Sequence, residues 1–351
     1  FVFFSALFSA LLLIFKSYLL QIFTETQDFR YFDLLIIYIL LANPGYMIEF
    51  IYLVKNRPKN ILVYGLLFFF LQIIAAGLPP VFGYDIIYSI YGLISLSVIR
   101  LIWLGVLIFR HSIIRISFPY LREHISVGYP LIISVLLSGS AQYVDGYLVS
   151  QYYSREVFAV FRYGARELPF VVLMANALSN SMLPEMSLKN GFSGALASIK
   201  RKSLRLMHFV FPAAIIIMFF SHWLFPIIYN EGFRESATIF NIYLLLTISY
   251  MVFPQTVLIG LKRTRTIMLT SFIELVINVA LSILLIRYLN IAGVALATVI
   301  AYYSEKAILI IFNSAYKIRP ASYIPLGWLL FYSVITLAVY VLIEYKPLNL
   351  L

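Results

Sequence analysis

The chain is a succession of long apolar runs separated by short polar stretches. Eleven runs of about 20 residues, the length that crosses a bilayer as a helix, fall near 1–22, 33–54, 60–79, 85–109, 126–151, 156–184, 205–229, 236–260, 266–289, 291–313 and 322–343. The pattern predicts an all-α integral membrane protein. Two runs between Leu121 and Glu185, joined at Gln151-Tyr-Tyr-Ser-Arg155, each hide a line of polar residues. At 100° per residue, Ser134, Ser138, Gln142 and Asp145 share an arc of about 80° on the first. Arg162, Arg166, Asn176 and Asn180 share a similar arc on the second, with Pro169 and Leu173 between them. Asp145 precedes the joint by about as much as Arg162 follows it, so the two charges are expected at matching depth. Charge at that depth is costly unless it faces protein or a wet cavity. The hairpin is therefore a candidate transport path.

The polar intervals alternate in charge. Lys55, Arg57, Lys59, Arg110, Arg115, Arg122, Lys189, Lys200, Arg201, Lys202, Arg205, Lys262, Arg263, Arg265, Lys317 and Arg319 fall on one side. Only Arg30, Arg155, Arg234, Arg287 and Lys346 fall on the other. This is the bias of cytoplasmic loops, and it supports the span count, because a missed helix would scramble the alternation. It places residue 1 on the cytoplasmic side and the end of the chain outside. The net charge of +11 is thereby topology, and no nucleic acid is expected as a partner.

Composition agrees: 62% of residues are hydrophobic and 12% charged, against about half and a quarter in soluble domains. The absence of cysteine excludes disulfides and thiolate chemistry. The four histidines are scattered without metal-ligand spacing, so neither metal nor cofactor is expected. No polar interval is long enough for a catalytic domain, which argues against an enzyme. The longest, Glu185–Arg205, reads as a basic loop or as a short helix on anionic headgroups. Pro130 and Pro169 are open between hinge and ordinary kink.

Further polar groups lie inside the runs. Ser271, Glu274, Asn278 and Ser282 share one helix face. Glu274 is a candidate carrier of a coupling proton, or else helix–helix glue with Asn278. Glu305 and Lys306 form a candidate internal ion pair with a possible share in ion coupling. Lys16 and Glu49, near span ends, are expected to snorkel, and His208 and His222 are given no role.

Several segments resemble the bacterial polysaccharide flippases, the O-antigen and capsule repeat-unit transporters of the multidrug/oligosaccharidyl-lipid/polysaccharide exporter superfamily. They are Gly128-Tyr-Pro-Leu-Ile-Ile133 with Tyr143-Val-Asp145, then Phe158 through Pro169 ending in Met182-Leu-Pro-Glu185, then Asn230 through Ala237. Gly260-Leu-Lys-Arg-Thr264, Asn278 through Leu285 and Asn290 through Ala297 are similar as well. The motifs are small and apolar, so their order and spacing over 121–313 carry the resemblance.

The resemblance implies two six-helix bundles around a central cavity, with extra helices at the end. It divides this chain into an incomplete first bundle (1–110), a cytoplasmic connector (111–125), a complete second bundle (126–313) and an extra helix (314–351). Two helices would then be missing before residue 1 and one after residue 351. It implies transfer of an undecaprenyl-diphosphate-linked oligosaccharide across the cytoplasmic membrane of a bacterium or archaeon. A proton or sodium gradient or the membrane potential would drive it, beside glycan polymerases or glycosyltransferases. The diphosphate would call for guanidinium groups, and Arg162, Arg166 and Arg100 are the candidates. Asp145, Gln142, Asn176 and Asn180 would line the cavity. Two rivals stay open: an exporter of organic cations on the same fold, which calls for an acidic cavity, and a membrane glycan polymerase or ligase.

Overall fold

A computed structural model describes residues 2–23, 31–111, 117–187 and 192–345. Arg30, Arg115, Lys189 and Lys346, counted above among the loop charges, lie outside them. Every regular element among the described residues is a helix, and the chain divides into two units, Phe1–Ile116 and Ser117–Leu351. The division falls inside the connector expected at 111–125.

The first unit contains α1 (Val2–Ile14), α2 (Lys16–Phe23), α3 (Phe32–Gly45), α4 (Met47–Val54), α5 (Pro58–Val81) and α6 (Ile86–His111). The run at 1–22 is thus two helices, and that at 33–54 is nearly continuous, interrupted beside Pro44, which cannot donate to the helix ladder. The Ser5 hydroxyl, buried on α1, donates to the carbonyls of Ile39 and Leu40 on α3 at 3.2 and 3.1 Å. Lys16 does not merely snorkel: its ammonium pairs with Asp33 at 2.7 Å. Ile48, Tyr52, Tyr64, Phe68, Leu104 and Leu107 form the core.

The second unit contains α7 (Phe118–Tyr152), α8 (Arg155–Gly164), α9 (Pro169–Ser187), α10 (Phe192–Ile228), α11 (Arg234–Leu244), α12 (Leu246–Tyr250), α13 (Pro254–Gly260), α14 (Thr264–Ala315), α15 (Pro320–Tyr323) and α16 (Leu326–Tyr345). The basic residues Lys200–Arg205 lie within the first turns of α10, not on a separate surface helix. α14 absorbs two expected spans. Its backbone leaves the helix only at Asn290, with φ 52° and ψ −141°, in a positive-φ region that Asn tolerates better than most residues. The limbs then fold back so closely that a Cβ on Gly293 would stand 2.3 Å from the Leu285 carbonyl oxygen.

Seven described helices are long and apolar enough to cross a membrane, or up to eight if α11–α13, bent by 40°, is one span. The difference from eleven comes from broken spans and from the doubled α14. The run at 156–184 breaks at Ala165–Leu168, between α8 and α9. Pro169 lacks a donor and pushes Leu168 away from helical geometry, so Pro169 opens α9 rather than kinking a continuous helix. The same chemistry operates before Pro254, where Met251–Phe253 separate α12 from α13. Pro130, by contrast, sits inside an unbroken α7.

α16 is fastened to α10 and α11 by one carboxylate. His222 Nε2 lies 2.9 Å from Glu344 Oε1, Asn241 Nδ2 donates to the same oxygen at 2.7 Å, and the Thr238 hydroxyl donates to Oε2 at 2.9 Å. His208 Nδ1 meets the Tyr332 hydroxyl at 2.8 Å. Both histidines, given no role above, thus tie the last helix down. At the other end of the unit, Lys262 pairs with Glu123, and that carboxylate holds the ammonium above its usual range.

Candidate functional site

The two breaks face one cavity. A hollow of about 340 Å³ opens inside the second unit, within the range of small-ligand sites. Its wall includes Ser134, Ser138 and Gln142 from α7, Glu167 from the first break, and Asn176 and Ser179 from α9. Tyr250, Val252, Phe253 and Gln255 come from the second break and its flanks, and Tyr302, Glu305 and Lys306 from α14. Irregular backbone at membrane depth is tolerated where it lines a cavity or is buried in protein, and here both irregular stretches do line one.

Several seam residues expected on α7 and α9 meet at this wall: Ser134, Ser138, Gln142 and Asn176. Others do not. Asn180 is exposed and outside the lining. Arg162 is half-buried in the last turn of α8, and Arg166 is exposed in the break. They therefore do not share a helix face, because α8 ends at Gly164 and the shared arc took 156–184 as one helix. Neither lines the cavity, and neither has a carboxylate within 4.0 Å among the described residues. The expected argininic cluster is absent from this wall, whose charged residues are Glu167, Glu305 and Lys306.

Behind the wall, and sharing Ser134, Glu305 and Lys306 with it, lies a buried network between α7 and the limbs of α14. Asp145 is 1% exposed. It accepts hydrogen bonds from the Ser282 hydroxyl at 3.1 Å and the Thr298 hydroxyl at 2.7 Å. Asn278 Nδ2 donates to Thr298 Oγ1 at 3.1 Å, so Asn278 bonds across the α14 hairpin. The Ser134 and Ser271 hydroxyls stand 2.6 Å apart, and Ser271 donates to Glu305 Oε1 at 3.2 Å. Glu305 Oε2 receives the Lys306 ammonium at 3.0 Å, which makes the expected internal ion pair. Ser271, Glu274, Asn278 and Ser282 are all buried on one face of α14. Both Glu274 oxygens and Asn278 Oδ1 lack a hydrogen-bond partner among the described residues. Carboxylate and amide oxygens so placed are the groups that could hold a proton or small cation.

Arg100 occupies a different setting in the first unit. It is 4% exposed, and its Nε donates to the Tyr64 hydroxyl at 2.8 Å. Its guanidinium lies 4.8 Å from the Tyr46 ring centroid and 5.5 Å from that of Phe68. A Cβ on Gly45 would reach within 3.0 Å of its Nε. Aromatic faces stand in for a counter-ion, since no carboxylate lies within 4.0 Å among the described residues.

Glu167 escaped the sequence reading as a site residue. Its Oε1 accepts the Tyr302 hydroxyl at 3.3 Å and Gln142 Nε2 at 3.4 Å. The available signal was its place immediately before Leu168-Pro169, where a helix break frees a charged side chain from the helical face.

Solved structures carry this architecture. A mutant of the Vibrio cholerae MATE transporter VcmN superposes with a TM-score of 0.72 at 15% identity, over 90% of this chain and 77% of that one. The lipid II flippase MurJ, in an inward closed conformation, gives 0.56 at 18% identity over 98% and 75%. An outward-facing multidrug resistance MATE family transporter of the MOP superfamily gives 0.67 at 14% identity over 90% and 76%. At these identities the likeness is one of fold. No curated protein matches the sequence significantly. The family model described as polysaccharide biosynthesis protein matches residues 1–238, and on that match this membrane transporter-fold chain belongs to the polysaccharide biosynthesis protein family.

Proposed function

We propose that the protein flips an undecaprenyl-diphosphate-linked oligosaccharide from the cytoplasmic to the outer leaflet. The observation that carries this reading is a cavity walled by hydroxyls, amides and tyrosines, built at two helix breaks inside an otherwise apolar bundle. Such a wall suits a hydrated glycan, while the lipid tail stays in the bilayer. Broken helices around a midplane cavity are a recurrent device of secondary transporters. The basic loops face the cytoplasm in this reading, as their charge bias requires. Arg100, Arg162 and Arg166 are the proposed diphosphate contacts, outside the cavity wall. Glu274, Asn278, Glu305 and Lys306 are the proposed coupling groups. The partners are then the bilayer, the lipid-linked substrate, a coupling proton or sodium ion, and the enzymes that build and polymerise the glycan.

A second reading draws on the wall's charge. Two carboxylates and one ammonium make it acidic, which favours an exporter of organic cations more than the expected arginine cluster did. Liposomes holding the full-length protein and a fluorescent lipid-linked oligosaccharide separate the two. Transfer between leaflets that depends on folded protein supports the flippase. Failure to transfer it under either an imposed proton or sodium gradient, together with gradient-driven uptake of an organic cation, would sink the flippase in favour of the exporter.

A further inference from the structure

Among the described residues, three formally charged side chains line the cavity, and two of them cancel. Lys306 pairs with Glu305 at 3.0 Å, and Ser271 holds the other Glu305 oxygen at 3.2 Å. The remaining charge is Glu167. Both hydrogen bonds to its Oε1 come from neutral groups and are long, at 3.3 and 3.4 Å, beyond the usual span of good bonds. No Lys, Arg or His among the described residues lies within 4.0 Å of it. Arg166, next to it in the chain, is exposed and makes no ion pair among the described residues. A carboxylate that the cavity leaves reachable and that has no counter-charge among the described residues keeps acceptor capacity for an arriving cation, which forms a charge-assisted bond there.

The surroundings define which cation. Tyr250 and Tyr302, with ring centroids 6.1 Å apart, line the same wall as Phe253. Aromatic faces attract ammonium groups. A volume of about 340 Å³ is sugar-sized rather than ion-sized, and no group of three or more Asp, Glu, His or Cys among the described residues is arranged to hold a metal. Ser138, Gln142, Asn176, Ser179 and Gln255 supply hydroxyl and amide groups around the same space, which complement the hydroxyls of a pyranose.

We propose that Glu167 seats a protonated amine carried by the cargo, flanked by Tyr250 and Tyr302, so that the glycan handled here bears an amino sugar with a free amine. This inference rests on the flippase reading. Small organic ammonium ions share the chemistry, and the test separates the two sources.

The test measures binding to the full-length protein in nanodiscs with three probes. They are a lipid-linked disaccharide bearing one free amine, its N-acetylated counterpart, and phenethylammonium. The wild type is expected to bind the free-amine lipid at least tenfold more tightly than the acetylated one. Glu167→Gln should erase that preference, so that the two lipids bind the variant within about twofold of one another. Tyr302→Phe, which keeps the carboxylate, should keep the preference, and a melting curve on each variant establishes folding. Equal wild-type affinity for the two lipids overturns the amine seat and leaves the flippase reading standing. Phenethylammonium bound in a Glu167-dependent way, with neither lipid bound, supports the amine seat and overturns both the amino-sugar cargo and the flippase reading. No binding of any probe by folded protein overturns the amine seat.

Discussion

Asp145 and Glu167 are carboxylates of one unit set into opposite surroundings. Asp145 is sealed between α7 and the α14 limbs, with a short bond from Thr298 and a second from Ser282. Glu167 stands on a helix break, open to a cavity, with two long bonds and no counter-charge among the described residues. The first carboxylate is spent on joining helices. The second keeps unused capacity for bonding, and that spare capacity separates a binding group from a structural one. A buried polar group left without a partner is expensive, whereas one that water can reach loses little when its neighbours change.

The contrast can be broken most directly by removing each carboxylate. Asp145→Leu leaves the Ser282 hydroxyl without its acceptor and Thr298 with only its 3.2 Å bond to the Val294 carbonyl, at about 1–3 kcal/mol for the group stranded, and should lower the thermal midpoint of the detergent-solubilised protein by several degrees. Glu167→Leu should change stability by no more than about 0.5 kcal/mol. Equal losses would erase the distinction. The arginines test the same idea. Arg100→Gln forfeits packing against Tyr46, Tyr64 and Phe68, about 1–2 kcal/mol for a desolvated cation–aromatic site, while exposed Arg166→Gln should leave the melting curve in place.

Glu344→Gln weakens the charged acceptor that fastens α16, a loss of about 1 kcal/mol. It should appear in hydrogen exchange as faster opening confined to α16; unchanged protection would mean that packing alone holds the helix. The smallest effect belongs to Lys262→Met. Its pair with Glu123 is solvent-exposed, and surface pairs contribute little, so only the salt dependence of melting should flatten. The ammonium's range is raised by the pairing, so the pair's contribution is present at neutral pH and lost as pH climbs through that raised value.

Hydropathy made the membrane class and most spans legible, because apolar length is written locally. The breaks were half-legible. Pro169 and Pro254 were visible as residues, yet whether a proline opens a helix or sits within one depends on neighbours, as the unbroken helix through Pro130 demonstrates. The arc that joined Arg162 to Asn180 failed there, since angular bookkeeping on a helix means nothing across four non-helical residues. The cavity wall was least legible. Glu167 meets Tyr302 across 135 positions, and the Glu344 anchor gathers His222, Thr238 and Asn241 from more than a hundred residues away. No local pattern announces such meetings.

The tight reversal at Asn290 also bears on how the protein is made. Its two apolar limbs meet with only Asn290 outside the helix between them, and Gly293 leans on the Leu285 carbonyl. A first limb threaded alone would leave Asp145's partner Ser282 and the orphan Glu274 facing lipid. The limbs are thus expected to enter the bilayer together as a hairpin, the second limb covering the polar face of the first before either is released from the insertion machinery. In nascent chains arrested once residue 290 has cleared the ribosome, the single cysteine of Ile283→Cys should still react with a water-soluble maleimide, while in chains extended past residue 315 it should be protected; equal protection would show that the first limb enters by itself.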